Sequence, residues 1–396
     1  MTANDPKTGQ AIRRPLDGVK VLDLSALGPG PFCSMLLADY GADVVSIARP
    51  NPEPFDPAPL FSRGKRNVVV DLRADGGPDV IRRMAADADV FLEGYRPGTM
   101  ERRGLGPERL LADNPRLVYA RLTGYGQSGP YAMRAGHDIN YISVGGPLGA
   151  IGTTEPVPPL NIVGDFGGGS VNAAMGIVLA LFERERTGRG QVVDAAMVDG
   201  AALLLTAQIA YNALGEWDGV GSSTLSGNAP YYGVYRCADG KWFAVGAIED
   251  RFYVRLLGLL GIDPVGLPDR DEPANWPRLR ARFGEIFAAE SREHWTKLFG
   301  DTDACGTPVL EISELADDPH LRERGTIVVH DGLVQASPAP RFGDGGSAPV
   351  PLPVASRPSG PTTRAVLAGY GFSDAEIDEY AARGALPDAS AESDPK

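Results

Sequence analysis

Length, composition and charge already exclude several classes of protein. The chain has 396 residues, which is enough for two domains that each bury a hydrophobic core. Hydrophobic residues make up 43% of the sequence and charged residues 22%, as is usual in globular proteins. The formal net charge of −13 argues against nucleic acid as a main partner, because phosphate backbones are bound by basic surfaces. A small phosphorylated ligand is compatible with this charge, since a few local arginines suffice to bind it.

The cysteines, histidines and apolar runs predict a cytoplasmic protein without a metal site or a membrane partner. The three cysteines and four histidines are widely scattered and match no metal-ligand spacing, so we expect reduced thiols and no bound metal. The first residues are polar and contain no apolar core of a signal peptide. No run of apolar residues approaches the length of about 18 that spans a membrane.

The first elements predict the opening β-α-β unit of a nucleotide-binding α/β fold. Residues 19–25 are predicted as an apolar strand, residues 32–40 as a helix, and residues 43–47 as a second strand. The Gly-Pro-Gly-Pro turn at residues 28–31 lacks the full G-x-G-x-x-G pattern of dinucleotide sites. Arg49 follows the second strand, where a site for NAD would have an acid, and an arginine there suits a phosphate. From its position alone, a solvated surface arginine is an equally good interpretation.

The alternation of strands and helices continues and predicts a doubly wound parallel sheet, which is a Rossmann-like architecture. Three further strands are predicted at residues 67–72, 90–93 and 117–122, and a helix is predicted at residues 78–87. Ligands bind at the carboxyl ends of the strands in such folds. Those ends carry Arg49 and Arg96, with Arg102 slightly beyond. Three arginines so placed indicate a phosphate site more strongly than any one of them alone.

The stretch of residues 136–170 combines two titratable side chains with many glycines. His137 lies near its start and Asp165 near its end, followed by glycines at residues 167–169. An apolar helical pattern begins at Val171, which predicts that Asp165 lies just before a helix N-terminus with free N–H groups for an anion. A base, an acid and an anion site in one stretch indicate proton transfer next to a group that becomes an oxyanion.

Each of these residues also has a structural interpretation. A lone histidine such as His137 is often a hydrogen-bonded structural residue. An aspartate at the position of Asp165 commonly caps the helix that follows. Three glycines after a cap, however, destabilise a helix and are favoured where another backbone or a ligand approaches closely. Glu249 alone is interpreted as a surface acid, and Cys33 and Cys305 as packing residues rather than nucleophiles.

The second half of the sequence predicts a smaller α+β domain. Two long helical segments, residues 171–185 and 194–213, precede a polar, glycine-rich linker. A β-hairpin is predicted at residues 231–237 and 242–245. Further helices are predicted at residues 252–260, 276–289, 294–299 and 374–383. We therefore predict a large Rossmann-like domain at residues 1–200, a linker at 201–228, a small α+β domain at 229–334, and a return segment at 335–396 that completes the large domain.

Several motifs resemble one enzyme family over nearly the whole chain. The general motifs are LDGVKVLDL at residues 16–24, GADVV at 41–45, EGYRPG at 93–98, GYGQSGP at 124–130 and GQVVDAAM at 190–197. These motifs resemble the class III CoA-transferase superfamily, which is also called CaiB/BaiF. The pair GHDINY at residues 136–141 and GDFGGG at 164–169 is more specific and resembles its racemase branch, the α-methylacyl-CoA racemase family.

The resemblance implies an isomerase of lipid metabolism that inverts C2 of a 2-methylacyl-CoA thioester through an enolate. It implies that His137 and Asp165 are bases on opposite faces of Cα and that Asp138 supports His137. It also implies that Asn161 and Glu249 support the site, Glu249 from the partner chain. It also implies an interlocked homodimer and no cofactor, since CoA is part of the substrate. The CoA contacts that it implies are Arg49, Val70, Asp71, Leu72, Arg73, Gly94, Tyr95, Arg96, Arg102, Gly136, Ile139, Asn140 and Tyr141.

Two alternative functions stay open. In a class III CoA transferase, Asp165 would attack the thioester as a nucleophile and carry the acyl group as an anhydride. Such a transfer has no obvious use for His137 on the opposite face. A non-enzymatic CoA-binding protein would leave the His137/Asp165 pair unexplained. The sequence does not distinguish a fatty acyl chain, a sterol side chain and a short branched acid as the substrate's acyl group.

Overall fold

The computed structural model describes residues 14–25, 28–50, 59–330, 332–342 and 360–390. Its strands are β1 (Lys20–Asp23), β2 (Asp43–Ala48), β3 (Lys65–Val69), β4 (Val90–Glu93), β5 (Val118–Thr123), β6 (Val192–Ala196), β7 (Tyr232–Arg236), β8 (Trp242–Gly246), β9 (Gly306–Val309), β10 (Ile327–His330) and β11 (Leu333–Ala336). Its α-helices are α1 (Pro29–Asp39), α2 (Gly77–Ala85), α3 (Pro107–Asp113), α4 (Asp138–Gly145), α5 (Pro147–Ala150), α6 (Asn172–Thr187), α7 (Met197–Leu204), α8 (Thr206–Ala213), α9 (Asp250–Leu259), α10 (Trp276–Phe287), α11 (Arg292–Phe299), α12 (Pro319–Arg324), α13 (Gly360–Gly369) and α14 (Asp374–Ala382).

Six of these strands form one parallel sheet in the order β3-β2-β1-β4-β5-β6. This is the strand order of the Rossmann fold, in which the winding direction changes between the first and the fourth strand. Val21 and Leu22 are fully buried on opposite faces, because helices cover both sides of the sheet. The predicted Rossmann-like parallel sheet is confirmed.

Strand β6 corrects the sequence prediction of one helix at residues 194–213. Val192–Ala196 instead pairs in parallel with β5, and Asp194 lies opposite Arg121. Val192 and Val193 at the start of β6 are β-branched and favour a strand. The backbone of β5 supplies the hydrogen bonds that a helix would otherwise make internally. The helical pattern that follows is present as α7 and α8.

Two hydrophobic cores flank the parallel sheet. Cys33 and Leu37 of α1 and Ile177 of α6 pack against one face. On the other face lie α2, α13 and α14, with Ile81 and Leu367 fully buried. The two cores fix the sheet between helices, so the loops at its carboxyl edge are held on a rigid base.

The chain divides into two compact units whose boundaries differ from the predicted domains. The large unit comprises Met1–Gly145, Leu160–Leu204 and Val328–Lys396, and the small unit comprises Gly146–Pro159 and Leu205–Ile327. Asn228 Nδ2 donates to the carbonyl of Thr153 at 2.8 Å, so the predicted linker binds the segment at residues 146–159. The sequence prediction places residues 146–159 in the large domain and treats residues 201–228 as a separate linker. Both differ from the two units, because residues 146–159 and 205–228 belong to the small unit.

The small unit contains an antiparallel sheet in the order β7-β8-β9. Its core is largely aromatic, with the rings of Tyr235, Phe243 and Trp295 packed around the fully buried Phe287. The predicted hairpin and the helices α9, α10 and α11 are confirmed. Strand β9 is absent from the prediction, because its four residues, Gly-Thr-Pro-Val, carry a weak strand pattern.

The longest helix runs without interruption over Ile162–Thr187. It has 26 residues, and an 18-residue stretch within it has a mean hydropathy of 1.3. By length and composition this helix could therefore cross a membrane. This corrects the sequence-based view that no apolar segment is long enough. A single helix of this kind is weak evidence for a membrane, because core helices of globular proteins share these properties, and Ala173, Ile177 and Leu181 lie in the core.

The C-terminal return segment adds helices to the large unit. Helices α13 and α14 pack on the face of the sheet that contains Val68 and Val70. The N–H of Asp71 donates to the carbonyl of Ala385 at 3.0 Å, which joins this segment to the loop after β3. The predicted helix at residues 374–383 is confirmed as α14, and α13 is additional. The rest of the predicted extended connection, residues 343–359, and the tail at 391–396 lie outside the described residues.

Candidate active site

The predicted CoA-binding residues lie on loops at the carboxyl edge of the parallel sheet. Arg49 follows β2, Val70 follows β3, and Gly94 follows β4. Because the strands are parallel, their carboxyl ends share one edge. Neighbouring strands lie about 4.8 Å apart, so the four steps from β3 to β5 cover roughly 19 Å of this edge. A long ligand can therefore extend along it from one loop to the next.

Asp165 lies in a widened, π-type helical segment, Ile162–Val171, that continues directly into α6. The sequence predicts Asp165 before a helix N-terminus, whereas it is part of the first helical turn. The single hydroxyl proton of Ser170 is shared between the carbonyl of Asp165, at an O···O distance of 2.9 Å, and that of Pro29, at 2.6 Å. These bonds join the first turn of the widened segment to the start of α1.

The glycines after Asp165 serve helix packing. A Cβ on Gly200 of α7 would lie 1.9 Å from the carbonyl oxygen of Gly168, and a Cβ on Gly168 would lie 2.6 Å from the nitrogen of Ala201. A Cβ on Gly169 would lie 2.8 Å from Cγ of Met197. The close approach inferred from the sequence is present, but the partner is α7 rather than a ligand.

Asp138 and Asp165 are joined by a direct hydrogen bond. The N–H of Asp165 donates to Asp138 Oδ1 over an N···O distance of 2.7 Å. Asp138 is 8% exposed, so this donor replaces water at a buried carboxylate. Gly164 makes the contact possible, because a Cβ there would lie 2.4 Å from the same oxygen. The resemblance assigns Asp138 to the support of His137, and the bond seen in the structure supports the backbone of Asp165.

The surroundings of Asp165 shift its protonation equilibrium. Burial raises the pKa of Asp165 above its ordinary value, and the negative charge of Asp138 also raises it. Asn161 Nδ2 donates to Asp165 Oδ2 at 3.1 Å, and this bond and the charge of His137 lower the pKa. A carboxyl group with a raised pKa is better matched to proton exchange near neutral pH.

His137 precedes α4, and its side chain is exposed. Its carbonyl accepts the N–H of Asn140 at 2.8 Å, and its own N–H donates to Asn140 Oδ1 at 3.0 Å. These bonds fix the backbone of His137 as the N-terminal boundary of α4. The charge of His137 acts on Asp165, so the two predicted bases belong to one electrostatic environment.

Tyr141 fills the space between the end of β5 and the start of α4. A Cβ on Gly124 would lie 2.1 Å from its ring, and a Cβ on Gly136 would lie 2.8 Å from it. The Tyr141 hydroxyl donates to the carbonyl of Gly136. Burial raises the pKa of Tyr141 to about 12, the charge of Asp165 adds to this, and the charge of Arg96 lowers it. Tyr141 therefore lies near both a predicted base and a predicted CoA-binding arginine.

A buried carboxylate holds the loop after β4. Glu93 is fully buried and accepts the N–H of Tyr95 at 2.6 Å and Nε of Arg121 at 3.0 Å. The Arg49 guanidinium lies 5.8 Å from the centre of the Tyr95 ring, so the loops after β2 and β4 are in contact. The side chains of Arg49 and Arg96 are exposed, as binding of a soluble anion requires.

The loop after β3 presents fewer free groups than predicted. Val70 is 2% exposed, and its side chain lies in the core. Asp71 Oδ1 accepts the N–H of Arg73 at 2.8 Å, and the carbonyl of Leu72 accepts a guanidinium N–H of Arg103 at 2.8 Å. Within this loop, Arg73 is the residue with an exposed side chain that is suited to an anion.

The remaining predicted residues are placed as follows. Gly94 and Arg102 are exposed, and Ile139 is 45% exposed on α4. Glu249 belongs to the small unit, where it precedes α9, and its role stays a prediction. Among the described residues, no group of three or more His, Cys, Asp and Glu side chains could hold a metal ion.

Gly28 is a site residue that the sequence did not predict. A Cβ on Gly28, whose φ is +58°, would lie 3.4 Å from Asp165 Oδ2. Its signal in the sequence is the glycine-rich turn after the first strand, where this fold binds ligands. The Phe166 ring follows Asp165 and lies 4.8 Å from the Phe32 ring and 5.8 Å from the Phe61 ring, measured between centroids.

The arrangement suits proton transfer at carbon. His137 and Asp165 supply two acid–base groups of different chemistry in one site. Helix α4 begins at Asp138, so its first N–H groups have no acceptor within the helix and form a positive dipole end beside both groups. An oxyanion that forms between the two bases would be stabilised there.

Comparisons with known proteins identify the family of this chain. The sequence matches CoA-transferase family III over residues 16–353. It is 47% identical to α-methylacyl-CoA racemase of Mus musculus and 43% identical to that of Homo sapiens, in each case over 91% of this chain and 95% of the relative. The fold is similar to the crystal structure of a CaiB/BaiF family protein from Brucella suis, with a TM-score of 0.78 and 28% identity over 91% of this chain and 100% of that chain. The chain therefore belongs to CoA-transferase family III.

Proposed function

We propose that the protein is a racemase that interconverts the (R) and (S) forms of 2-methylacyl-CoA thioesters. The observation that carries this proposal is the 2.7 Å hydrogen bond from the N–H of Asp165 to the buried carboxylate of Asp138, the residue that follows His137. The relatives named α-methylacyl-CoA racemase, which are 43–47% identical over most of the chain, support the same activity.

In this mechanism, one base removes the α-proton and the other returns a proton to the opposite face of the planar enolate. His137 acts as the base in one direction and Asp165 in the other. Their ordinary pKa values are about 6.5 and 3.9, so unmodified groups would favour one direction of proton flow. Burial raises the pKa of Asp165, so this carboxylate is a stronger base than an ordinary aspartate.

The enolate oxygen needs stabilisation, because the α-proton of a thioester is weakly acidic. The first N–H groups of α4, at Asp138 and Ile139, are available donors at a helix N-terminus. The N–H of Asp165 is unsuitable for this role, since Asp138 already accepts it. We therefore assign the oxyanion site to the start of α4 rather than to the helix that contains Asp165.

The CoA moiety is proposed to lie along the carboxyl edge of the sheet, with Arg49 and Arg96 near its phosphates. Both guanidinium groups are exposed there, and the Arg49/Tyr95 contact and Glu93 hold their loops. Proton transfer between side chains and carbon requires no metal or redox cofactor, so none is proposed.

Deuterium incorporation tests the two-base assignment. Each pure enantiomer of a 2-methylacyl-CoA is incubated in D₂O with wild-type enzyme, His137→Ala or Asp165→Ala, and Cα deuteration is followed by proton NMR. Each variant should lose exchange from one enantiomer, and both should lose racemisation by roughly 10²–10⁴-fold. His294→Ala and Asp79→Ala, which remove an exposed histidine and an exposed aspartate elsewhere, are the matched controls.

Two results would contradict the assignment. Equal residual exchange from both enantiomers in both variants would exclude opposite-face bases. Transfer of CoA to an added carboxylic acid, with an acyl adduct on Asp165 that hydroxylamine traps, would favour the CoA transferase that the family name also allows.

We further propose that the protein is cytoplasmic and forms an interlocked homodimer. Support for the dimer comes from an apolar stripe on helix Ile162–Thr187, whose members are between 43% and 62% exposed. The stripe consists of Val171, Met175, Val178, Leu179 and Phe182. Sedimentation equilibrium should give the dimer mass for the wild type, and Phe182→Glu should weaken association. A wild-type monomer that retains full activity would contradict this proposal.

Co-expression tests whether Glu249 acts from the partner chain. A heterodimer carries Asp165→Asn in one subunit and Glu249→Gln in the other. If Glu249 acts across the interface, one site contains both changes and the other contains neither, so about half of the wild-type activity remains. If Glu249 acts within its own chain, each site contains one change and activity is lost.

A further inference from the structure

A buried ion pair joins the end of β1 to the start of β3. Lys65 Nζ lies 3.3 Å from Asp23 Oδ2, and the two side chains are 2% and 0% exposed. In the sheet, β2 lies between the two strands that carry these residues. Both charges are withdrawn from water, so each depends on its partner and on further hydrogen bonds.

Asp23 binds the polypeptide on both sides of the turn before α1. Its Oδ1 accepts the N–H of Ser25 at 2.9 Å and also the Ser25 hydroxyl, and its Oδ2 accepts the hydroxyl of Ser34 in α1. Ser25 packs directly against residues 28–31, here called the turn segment, because a Cβ on Gly30 would lie 2.1 Å from Cβ of Ser25. Asp23 therefore holds the surface against which the turn segment packs.

Lys65 binds the turn segment itself, and the same segment binds the backbone of Asp165. Lys65 Nζ donates to the carbonyl of Pro31 at 2.7 Å. At the other end of the segment, the hydroxyl of the fully buried Ser170 lies between the carbonyls of Pro29 and Asp165. The hydrogen bonds thus continue from the ion pair, through the turn segment, to Asp165.

The turn segment also faces the Asp165 carboxylate. A Cβ on Gly28 would lie 3.4 Å from Asp165 Oδ2, so the Gly28 backbone is close to this oxygen. Burial is the largest of the influences that raise the pKa of Asp165. Displacement of the turn segment would admit water to the carboxylate and lower that pKa.

Stability alone is a weak explanation for the Asp23/Lys65 pair. Desolvation of two charges offsets much of their attraction, and apolar side chains of similar volume often fill such a space equally well. Apolar side chains, however, lack the directional hydrogen bonds that Asp23 and Lys65 make to the turn segment and its supports. The pair is therefore better explained by the geometry that it fixes.

We propose that Asp23 and Lys65 are positioning residues for Asp165 and act on it through the turn segment. Neither residue is assigned a contact with the substrate. The inference rests on the proposed racemase activity, in which Asp165 exchanges a proton with Cα. A base that is displaced by about 1 Å can lose about 10²-fold in rate, so fixing the turn segment would matter to the reaction.

The test replaces the whole pair, because either single change would leave a buried charge without its partner. Asp23→Leu combined with Lys65→Met should fold and should lower kcat by about 10- to 100-fold with little change in KM. The substrate is each pure enantiomer of 2-methyldecanoyl-CoA in D₂O, and exchange from the enantiomer that Asp165 deprotonates should fall more. Melting temperatures verify that the variant is folded.

The pH profile distinguishes positioning from a general loss of structure. The acidic limb of kcat/KM in the direction in which Asp165 takes the proton should move to lower pH, because the carboxylate becomes more hydrated. The other charged groups that act on Asp165, Asp138 and His137, are unchanged in this variant.

A second buried pair and a milder variant complete the design. Asp89→Leu combined with Arg184→Met is the matched control, since this pair lies near the far end of the helix Ile162–Thr187. It should leave the acidic limb in place. Ser170→Ala removes the hydroxyl between Pro29 and Asp165 at nearly the same volume, and it should shift the limb in the same direction as the double variant.

The outcomes separate this inference from the proposed activity. A folded double variant with the wild-type kcat and acidic limb would overturn the positioning role and leave racemisation intact. If the double variant does not fold, an unchanged limb in Ser170→Ala overturns it instead. A shift of the same size in the control pair would also overturn it.

If the wild type exchanges neither enantiomer, the proposed activity fails, and the positioning role is decided by titration of Asp165 itself. Carbon NMR of protein labelled at the aspartate carboxyl carbons provides this titration, and the Asp165 signal is identified by its absence in Asp165→Asn. Its midpoint should be lower in the double variant than in the wild type. An unchanged midpoint would overturn the inference.

Discussion

Gly164→Ala tests the bond between Asp138 and Asp165, because an added methyl group and that bond compete for the same space. The methyl carbon would lie 2.4 Å from Asp138 Oδ1, which is 1.0 Å closer than the 3.4 Å at which ordinary contact begins. A retreat of the carboxylate by that distance stretches the 2.7 Å bond to about 3.7 Å, which is beyond hydrogen bonding. A hydrogen bond to a charged group contributes about 1.5–3 kcal/mol. The expected loss in kcat is therefore about 10- to 150-fold.

The assay is deuterium incorporation at Cα from each enantiomer, measured well below the melting temperature of the variant. Exchange from the enantiomer that Asp165 deprotonates should fall more than exchange from the other, because Asp165 is the displaced base. Gly149→Ala is the matched control, since a Cβ there meets nothing within 4 Å. A folded Gly164→Ala enzyme that exchanges both enantiomers at the wild-type rate would refute the reasoning.

Three further predictions concern the CoA-binding arginines, the packing of α7 and the charge of Asp165. Arg49→Ala and Arg96→Ala should each raise KM for the CoA ester about tenfold or more with little change in kcat, since each loses about 1.5–3 kcal/mol of charged hydrogen bonding. Steady-state kinetics measure this, and an unchanged KM in both variants would mean that the two arginines are surface charges. Gly200→Ala should lower the melting temperature, because its Cβ would lie 1.9 Å from Gly168 O; a melting temperature equal to the wild type would remove the packing argument. Asp165→Asn should raise the melting temperature at neutral pH but not near about pH 4. The reason is that a carboxyl group whose pKa is raised in the folded state opposes folding once the pH exceeds its pKa in the unfolded state. Thermal melts at both pH values check the sign of this effect.

Much of the large unit could be predicted from the sequence because its signals are local. Strands β1 to β5 are short apolar segments separated by helical patterns and turns, and a parallel sheet follows from that alternation. The carboxyl-end positions of Arg49 and Arg96 follow from the same rule. His137 and Asp165 stand out because each lies among glycines in one short stretch.

The features that escaped prediction depend on partners that are distant in sequence. Strand β6 exists because the edge of β5 accepts it, and its own residues also fit a helix. Asp138 bonds to the backbone of Asp165, 27 residues away, so sequence spacing alone does not indicate the contact. The segment at residues 146–159 joins the small unit through contacts such as Thr153 with Asn228, which no local pattern encodes.

Opposite pH shifts in two variants would identify Asp165 as the titrating base. The negative charge of Asp138 raises the pKa of Asp165, and the hydrogen bond from Asn161 lowers it. Asp138→Asn keeps an oxygen to accept the Asp165 N–H but removes the charge, so the pKa of Asp165 should fall. Asn161→Leu removes the donor at a similar side-chain volume, so that pKa should rise.

The measurement is the pH dependence of kcat/KM in the direction in which Asp165 takes the proton. The acidic limb of that profile reports the ionisation of the base in the free enzyme. It should move to lower pH in Asp138→Asn and to higher pH in Asn161→Leu. Shifts of the same sign in the two variants, or an acidic limb that moves in neither, would mean that Asp165 does not control proton removal. A merely structural role for Asp138 and Asn161 would lower the rates but leave the acidic limb in place, so the direction of the shift separates charge from packing.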